Sequence, residues 1–333
     1  MPEVIDIKHN RILNKGLYSG YMNENQPLIS VIVPAYNVQK SIGGTLEQLL
    51  KQSYKNIEIL CINDGSKDET QKVINSFDDF RIRIFDKSNG GVSSARNVGL
   101  ENANGKYITF VDPGDQIDDH FVEYLYNLLI STNSQLSICS YDFESSEGEI
   151  LDRTKAYDAV NKNTFFTRDS AISEIIKPFS KFCGHVWDKM FIRSIIGDLR
   201  FDESIHNCED TLFDYEYIKK CNKIVLGPEI HYKYVQDESS VTHSKYTEKY
   251  FTSLKAWQKI LNELNNKTDS EVLSKKLAAD ILCHEVKAWK TLDKQERKKY
   301  KKNFLLLMQK YKNLDSPKLK AKWVICRVMW MLA

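Results

Sequence analysis

No stretch of this 333-residue chain approaches the ~20 consecutive apolar residues that a bilayer-spanning helix needs. A membrane-spanning segment is therefore not expected, which excludes an enzyme that polymerises and exports a polysaccharide through its own channel. The first 26 residues are polar and lack an apolar core of signal-peptide length, so the expected compartment is the cytosol. Paired cysteines are missing too. The seven present, Cys61, Cys139, Cys183, Cys208, Cys221, Cys283 and Cys326, are odd in number, scattered and without a Cys-x-x-Cys. That argues against a disulfide framework or a zinc knuckle and for a reducing compartment. Internal repeats and long low-complexity stretches are absent. Net charge is almost absent, at +2, but it is unevenly spread. Residues 287–322 carry 13 Lys and Arg against Asp293, Glu296 and Asp315, a net of +10 that leaves −8 for the rest. A basic tail on an acidic body points to an anionic partner for the tail alone.

What is present is ordinary globular material, 42% apolar and 28% charged. It suffices for one large α/β domain with an appendage, or two modest domains. Short β-branched runs at Ile29–Val33, Ile57–Ile62, Ile82–Phe85, Tyr107–Val111 and Leu136–Cys139 read as buried strands. Between them, Ile42, Leu46, Leu49 and Leu50 share a helical face, as do Phe121, Val122, Leu125, Leu128 and Leu129. The alternation predicts an α/β fold with a mostly parallel sheet and right-handed crossovers, whose ligands sit at the carboxyl ends of the strands. From Tyr141 to about Ser244 the pattern is irregular, with one helix expected from Asp210 to Cys221. Beyond Tyr246 it turns helical. Phe251, Leu254, Trp257 and Leu261 share a face, then Leu277, Ile281 and Trp289, and Ser316-Pro317 reads as a helix start.

Polar motifs follow the strand ends. Val33-Pro34-Ala35-Tyr36-Asn37 stops a strand and offers an aromatic face to a base; taken alone, a strand-to-helix turn with a packed tyrosine is the plainer reading. Asn63-Asp64-Gly65-Ser66 places a carboxylate where a base N–H or a ribose hydroxyl can donate to it, with Ser66 or Asp68 as the helix cap. Asn89-Gly90-Gly91 opens a helix whose N-terminus attracts a diphosphate, and Arg96, one turn in, can fork onto a base edge or a phosphate. Tyr107–Val111 runs into Asp112-Pro113-Gly114-Asp115. Carboxylates buried at a strand end are costly unless a cation neutralises them, and Mg²⁺ or Mn²⁺ would do so; a simple Asp-Pro-Gly-Asp turn is the alternative.

Taken together, in this order and spacing, residues 27–130 resemble the nucleotide-binding half of family 2 glycosyltransferases, which have the GT-A fold. The resemblance implies a Rossmann-like central sheet flanked by helices, with a C-terminal helical extension. It further implies that Pro34, Tyr36, Asn37, Asp64, Arg96 and Asp112 bind a nucleotide-sugar, expected to be UDP-linked. A divalent metal (Mn²⁺ or Mg²⁺) would sit on Asp112 and Asp115. The family's Asp-x-Asp-Asp motif is broken here, because Gly114 stands where the middle acid would be. Cys208-Glu209-Asp210-Thr211-Leu212-Phe213 resembles the family's Glu-Asp motif at a helix start, which makes Asp210 the general base; acids favouring a helix dipole are the plainer reading. Val186-Trp187-Asp188-Lys189-Met190-Phe191 resembles a segment flanking the acceptor site. That makes Trp187, Asp188 and Glu209 acceptor-binding candidates, with a core tryptophan as the alternative. Tyr232–His243 resembles a late loop that closes over the diphosphate, with His243 as a further metal ligand.

The resulting expectation is an inverting transfer of one sugar to a hydroxyl of a glycan or lipid-linked glycan in surface-polysaccharide synthesis. The chain divides into an extension (1–26), a nucleotide-sugar half (27–140), an acceptor half (141–245) and a basic helical region (246–333). Residues 323–333 hold a single charge, Arg327, and as a helix would reach ~16 Å, about half a hydrocarbon core. Such a segment lies peripherally on an anionic membrane, packs on its own domain or makes a homodimer contact. No nucleic-acid partner is expected. A non-catalytic nucleotide-sugar-binding scaffold is one rival. A nucleotidyltransferase is a weaker one, since no glycine- and basic-rich phosphate loop follows the first strand.

Overall fold

The computed structural model describes residues 5–6, 26–151, 161–177, 180–182, 184–236, 252–264, 268–269, 271–273, 286, 288–310, 324–325, 327–328 and 331. The first elements are β1 (Ile5–Asp6), β2 (Ile29–Ala35), α1 (Ile42–Lys51), β3 (Ile57–Asn63), α2 (Thr70–Asn75), β4 (Ile82–Asp86), α3 (Val92–Asn102) and β5 (Tyr107–Phe110). They are followed by β6 (Gln116–Ile117), α4 (Phe121–Ser131), β7 (Leu136–Ser145), β8 (Thr164–Phe166), α5 (Arg168–Ile175), β9 (Lys189–Ile192) and α6 (Arg193–Ile196). Last come α7 (Glu209–Ile218), β10 (Ile224–Gln236), α8 (Thr252–Glu263) and α9 (Lys294–Lys310).

One sheet holds the strands in the order β1-β4-β3-β2-β5-β9-β7-β10-β6, with β8 also on β10. The run β4-β3-β2-β5 is parallel, β9 is antiparallel to both neighbours, and β7 and β10 are parallel. Every residue of β2 and β3 is buried because helices cover both faces. Alternate side chains feed two cores. Ile32, Leu60 and Ile62 point to one, with α3, α7 and α8; Val31, Val33, Ile59 and Cys61 point to the other, with α1, α2 and α4.

The five strands expected from apolar runs are present, and the faces expected on α1 and α4 are the buried ones, Leu50 only partly. Three expectations differ. The boundary at 140 falls inside β7, so the two halves share a strand instead of meeting at a linker. The irregular region also contains the thirteen-residue β10, hidden in sequence by Gly227-Pro228. Proline cannot donate to a ladder, and the pairing with β7 slips between Leu226 and Ile230 at that point. On α8 the deepest line is Ala256, Trp257 and Ile260, with Leu254 and Leu261 at its margin.

The site is positioned by where β2 and β5 part. Their pairing ends at Ile32 and Phe110, while β2 stays paired to β3 through Pro34 and Ala35. Pro34 has no N–H to offer β5, so the split comes without an orphaned donor. The chain winds β2, β3, β4 to one side of this split and returns as β5 on the other. That reversal leaves a crevice at the carboxyl ends of the strands.

Candidate active site

Four loops leave the sheet at that crevice: those after β2, β3, β4 and β5. Tyr36 stands 44% exposed at its rim, available for stacking, whereas Pro34 is buried in the sheet beneath. Asn37, at φ 53°, ties two loops together: its N–H donates to Ser66 Oγ (3.0 Å) and its Oδ1 accepts from Lys67 N (2.8 Å). Asp68, expected as a helix cap, accepts from Thr70 N and Gln39 N and so ties the loop after β2 to the start of α2, whose N-cap position is Glu69.

Asp64 lies at the end of β3 as expected, but its carboxylate serves its own fold. It accepts from Lys87 Nζ at 2.5 Å, Gly90 N at 2.9 Å, Gly91 N at 2.7 Å and Asn89 Nδ2 at 3.1 Å. The two glycine amides expected to meet a diphosphate are thus turned to an internal carboxylate. Helix-start amides attract whichever anion is nearest, and here β3 delivers one. Lys87 escaped the sequence reading; a lone lysine three residues before a Gly-Gly gives no sign that it is buried against Asp64.

Arg96 differs most from expectation. It is buried, and its Nη2 donates to both oxygens of Asp112 at 3.1 Å while Nη1 donates to Glu209 Oε1 at 3.2 Å. Its guanidinium also lies over the Phe201 ring at 5.5 Å. Burial opposes its charge, but Asp112, Glu209 and Asp210 outweigh it and hold the group more firmly protonated than usual. The cation that neutralises the strand-end acid is therefore arginine. Through it the loop after β5 joins the first turn of α7.

Asp115 is buried with both oxygens engaged: Oδ2 accepts from Tyr232 Oη at 2.6 Å and Oδ1 from Val235 N at 3.0 Å. Burial and the neighbouring Asp112 push its carboxyl up to about 7. Between the two acids, Gly114 sits at φ +108°, a conformation that strains any residue with a Cβ. The missing middle acid is thus tied to the shape of the turn. Among the described residues no three His, Cys, Asp or Glu side chains group to hold a metal, and His243 lies outside them. The donor set fits a metal only through Asp112, whose carboxylate is 31% exposed, with the remaining ligands coming from a diphosphate.

At the start of α7 Asp210 is partly exposed, at 19%, with Oδ1 accepting from Thr211 N at 2.8 Å and Oδ2 3.5 Å from His185 Nδ1. Burial raises its pKa, but His185 and Arg96 overcome that and leave it below the usual carboxylate range. Glu209 goes the other way: burial and Asp210 raise it against Arg96. Trp187 and Asp188, expected to touch the acceptor, are buried. Trp187 stacks between His185 (4.9 Å) and Tyr232 (4.4 Å), and Asp188 pairs with Lys189 at 2.6 Å. The exposed ring beside Asp210 is His185, which the sequence did not single out because nothing in a Gly-His-Val triplet marks proximity to an acid 25 residues on.

Known proteins share both motifs and architecture. Among solved structures, S. aureus TarS 1–349 in complex with UDP-GlcNAc superposes with a TM-score of 0.65 over 91% of this chain and 90% of its own, at 20% identity. That likeness shows the fold, GT-A. The glycosyltransferase GlyA of Streptococcus pneumoniae is 36% identical over 186 residues, 52% of this chain and 26% of its own. The uncharacterized glycosyltransferase EpsJ of Bacillus subtilis is 30% identical over 225 residues, 66% of this chain and 64% of its own. The chain thus spans about a quarter of the first relative and just under two thirds of the second. The family model for glycosyl transferase family 2 matches residues 30–197, a span that runs from β2 through β9 and stops before Glu209, Asp210 and Tyr232, and the chain belongs to that family.

Proposed function

We propose that this chain transfers a sugar, with inversion, from a UDP-linked donor to a hydroxyl of a glycan or lipid-linked glycan acceptor during surface-polysaccharide assembly. One observation carries the reading: at the strand-order reversal a buried arginine joins a strand-end acid, Asp112, to the acid pair that opens α7. Asp112 faces the leaving group and Asp210 the incoming hydroxyl. The UDP-GlcNAc bound by TarS supports the choice of donor.

In the reaction the acceptor oxygen attacks the anomeric carbon from the face opposite the diphosphate. Its proton passes to Asp210, which its neighbours keep ionised and ready to accept it. The bond from the anomeric carbon to the diphosphate oxygen breaks, and its electron pair leaves with the diphosphate. Tyr36 stacks on the base. Arg96 holds Asp112 in place and supplies fixed positive charge near the departing group. A divalent cation, Mn²⁺ or Mg²⁺, held by Asp112 and the donor's phosphates would offset the remaining charge. Asp115, already twice hydrogen-bonded, is a support for the loop, so metal affinity should fall far more in Asp112→Asn than in Asp115→Asn, by calorimetric titration of Mn²⁺ with UDP present.

The decisive experiment is Asp210→Asn in the purified chain. It should still bind UDP by thermal shift yet lose transfer by ~10²- to 10⁴-fold, the range a general base supplies. Normal turnover would overturn the assignment. For the acceptor side we place the C-terminal region on an anionic membrane surface. Val324, Ile325, Val328 and Met331 are exposed at helical spacing beside the basic segment, and no helix among the described residues is long and apolar enough to cross a membrane.

A further inference from the structure

Asp210 can act only if its carboxylate is held at a fixed angle to the acceptor, and the fold contains an apparatus for that. The segment leading into β9 lies directly against the first turn of α7. A Cβ on Gly184 would fall 2.4 Å from Thr211 Oγ1 and 2.6 Å from Thr211 Cα, so only glycine permits the approach. One residue on, His185 brings Nδ1 to 3.5 Å from Asp210 Oδ2. Its ring cannot swing freely. It lies parallel to Trp187 at 12° and 4.9 Å, and Trp187 is backed by Tyr232 at 18° and 4.4 Å. Tyr141 meets the His185 ring edge-on at 6.3 Å.

The backbone of His185 is held as well. The ammonium of Lys189, itself fully buried, donates to the His185 carbonyl and to Asp188 Oδ1, and lies 3.2 Å from Asp214 Oδ2. Asp214 is one helical turn beyond Asp210 on α7. A single buried lysine therefore clamps the segment that carries His185 to the helix that carries Asp210. Buried ion pairs of this kind seldom add net stability, and fixing register is their best-attested use.

We infer that His185 is the positioning residue of the transfer, its Nδ1–H donating to Asp210 Oδ2 and fixing that carboxylate toward the acceptor hydroxyl. The inference rests on the reading of Asp210 as the base. The proton taken from the acceptor stays on Asp210, and His185 neither gains nor loses one in the step. It orients the base as the third group of a triad orients its histidine. The stacked column also reaches the donor side, since Tyr232 donates to Asp115.

The test uses the full chain and two readouts. In the first, UDP release is followed with whichever of UDP-glucose, UDP-galactose, UDP-GlcNAc and UDP-GalNAc the unmodified chain turns over fastest. His185→Phe keeps the ring stack and loses the nitrogen. It should lower kcat by ~10- to 100-fold with the donor KM held within about twofold, and should add no further loss in an Asp210→Asn background. His185→Gln, which restores an N–H, should recover part of the rate. In the second readout, imidazole nitrogen shifts are followed by NMR against pH. The His185 titration should move down when Asp210 becomes Asn, although Asp188 and Asp115 also act on that ring. Wild-type kcat in His185→Phe, losses that multiply in the double variant, or an unmoved imidazole titration would each overturn the inference. Full turnover in Asp210→Asn would instead overturn the assignment of the base, and the imidazole titration would still report on the pair.

Discussion

At position 58 a carboxylate is buried in the parallel half of the sheet, and the chain surrounds it with donors. Ser30 Oγ and Asn104 N each donate to Oε1 at 2.6 Å and Gly105 N at 3.1 Å, while Arg83 Nη1 reaches Oε2 at 2.7 Å. Burial raises the Glu58 pKa, but these donors overcome it and leave it below the usual value. A carboxyl depressed in the folded state contributes stability above its unfolded pKa and loses it as pH falls through the folded one. Glu58→Gln should therefore cost roughly 2–4 kcal/mol at neutral pH, by denaturant midpoint, because an amide turns one donor against another. The deficit should shrink as pH drops below the ordinary glutamate range. No sequence pattern announced this residue: Glu58 interrupts the apolar run Ile57–Ile62, and nothing near it in sequence names its donors. Asp64, Asp112 and Asp210 were legible because each ends a recognisable run at a strand or helix terminus. Their partners were not, since Arg96 meets Glu209 across 113 positions and no local spacing encodes that contact. Gly114 sits between these cases, visible as a departure but explained only by its positive φ. Gly114→Asp, which restores the family's acid on paper, should lower the melting temperature and leave Mn²⁺ affinity no better than before, by calorimetry with UDP.

Elements repeat the lesson at larger spacing. Strands buried on both faces, such as β2 and β3, announce themselves through unbroken β-branched runs. β10 does not, because its outer half is partly exposed and its middle carries Gly227 and Pro228. In α8 the heptad-like line Leu254, Trp257, Leu261 is visible to a periodicity reading, yet the helix buries Ala256, Trp257 and Ile260. The reason is what it packs against. α8 faces α7 and the Phe201–Phe213 stack (4.2 Å), where a small alanine lets the helices approach. Two substitutions separate the readings. Ile260→Ala should cost ~2–4 kcal/mol and Leu261→Ala about 1 kcal/mol, by urea midpoint at constant m-value. Equal costs would restore the face read from the sequence.

For the molecule as a whole, the organising fact is the separation of charge. Residues 287–322 carry a net of +10, which leaves −8 for the rest of the chain. Within that region α9 is anchored at its start by Asp293 and Glu296, each accepting from the other's amide, and the Arg297 guanidinium lies over Trp289 at 4.3 Å. Along the chain this basic stretch runs up to exposed Val324, Ile325, Val328 and Met331, so positive charge and apolar side chains adjoin in sequence. A surface that is both cationic and apolar pays to desolvate only where both properties are answered, as at the headgroup boundary of an anionic leaflet. The chain should therefore co-sediment with phosphatidylglycerol-containing vesicles and not with phosphatidylcholine alone. Binding should weaken as salt rises from about 0.05 to 0.5 M, over which the screening length shrinks severalfold. Val324→Asp with Ile325→Asp should abolish sedimentation while leaving UDP binding intact, since both positions lie far from the crevice residues in sequence. Retained sedimentation in that double variant would assign the attraction to charge alone. A salt-independent dimer in ultracentrifugation, lost in the same variant, would instead assign the apolar positions to a second copy of the chain and leave the membrane no part in it.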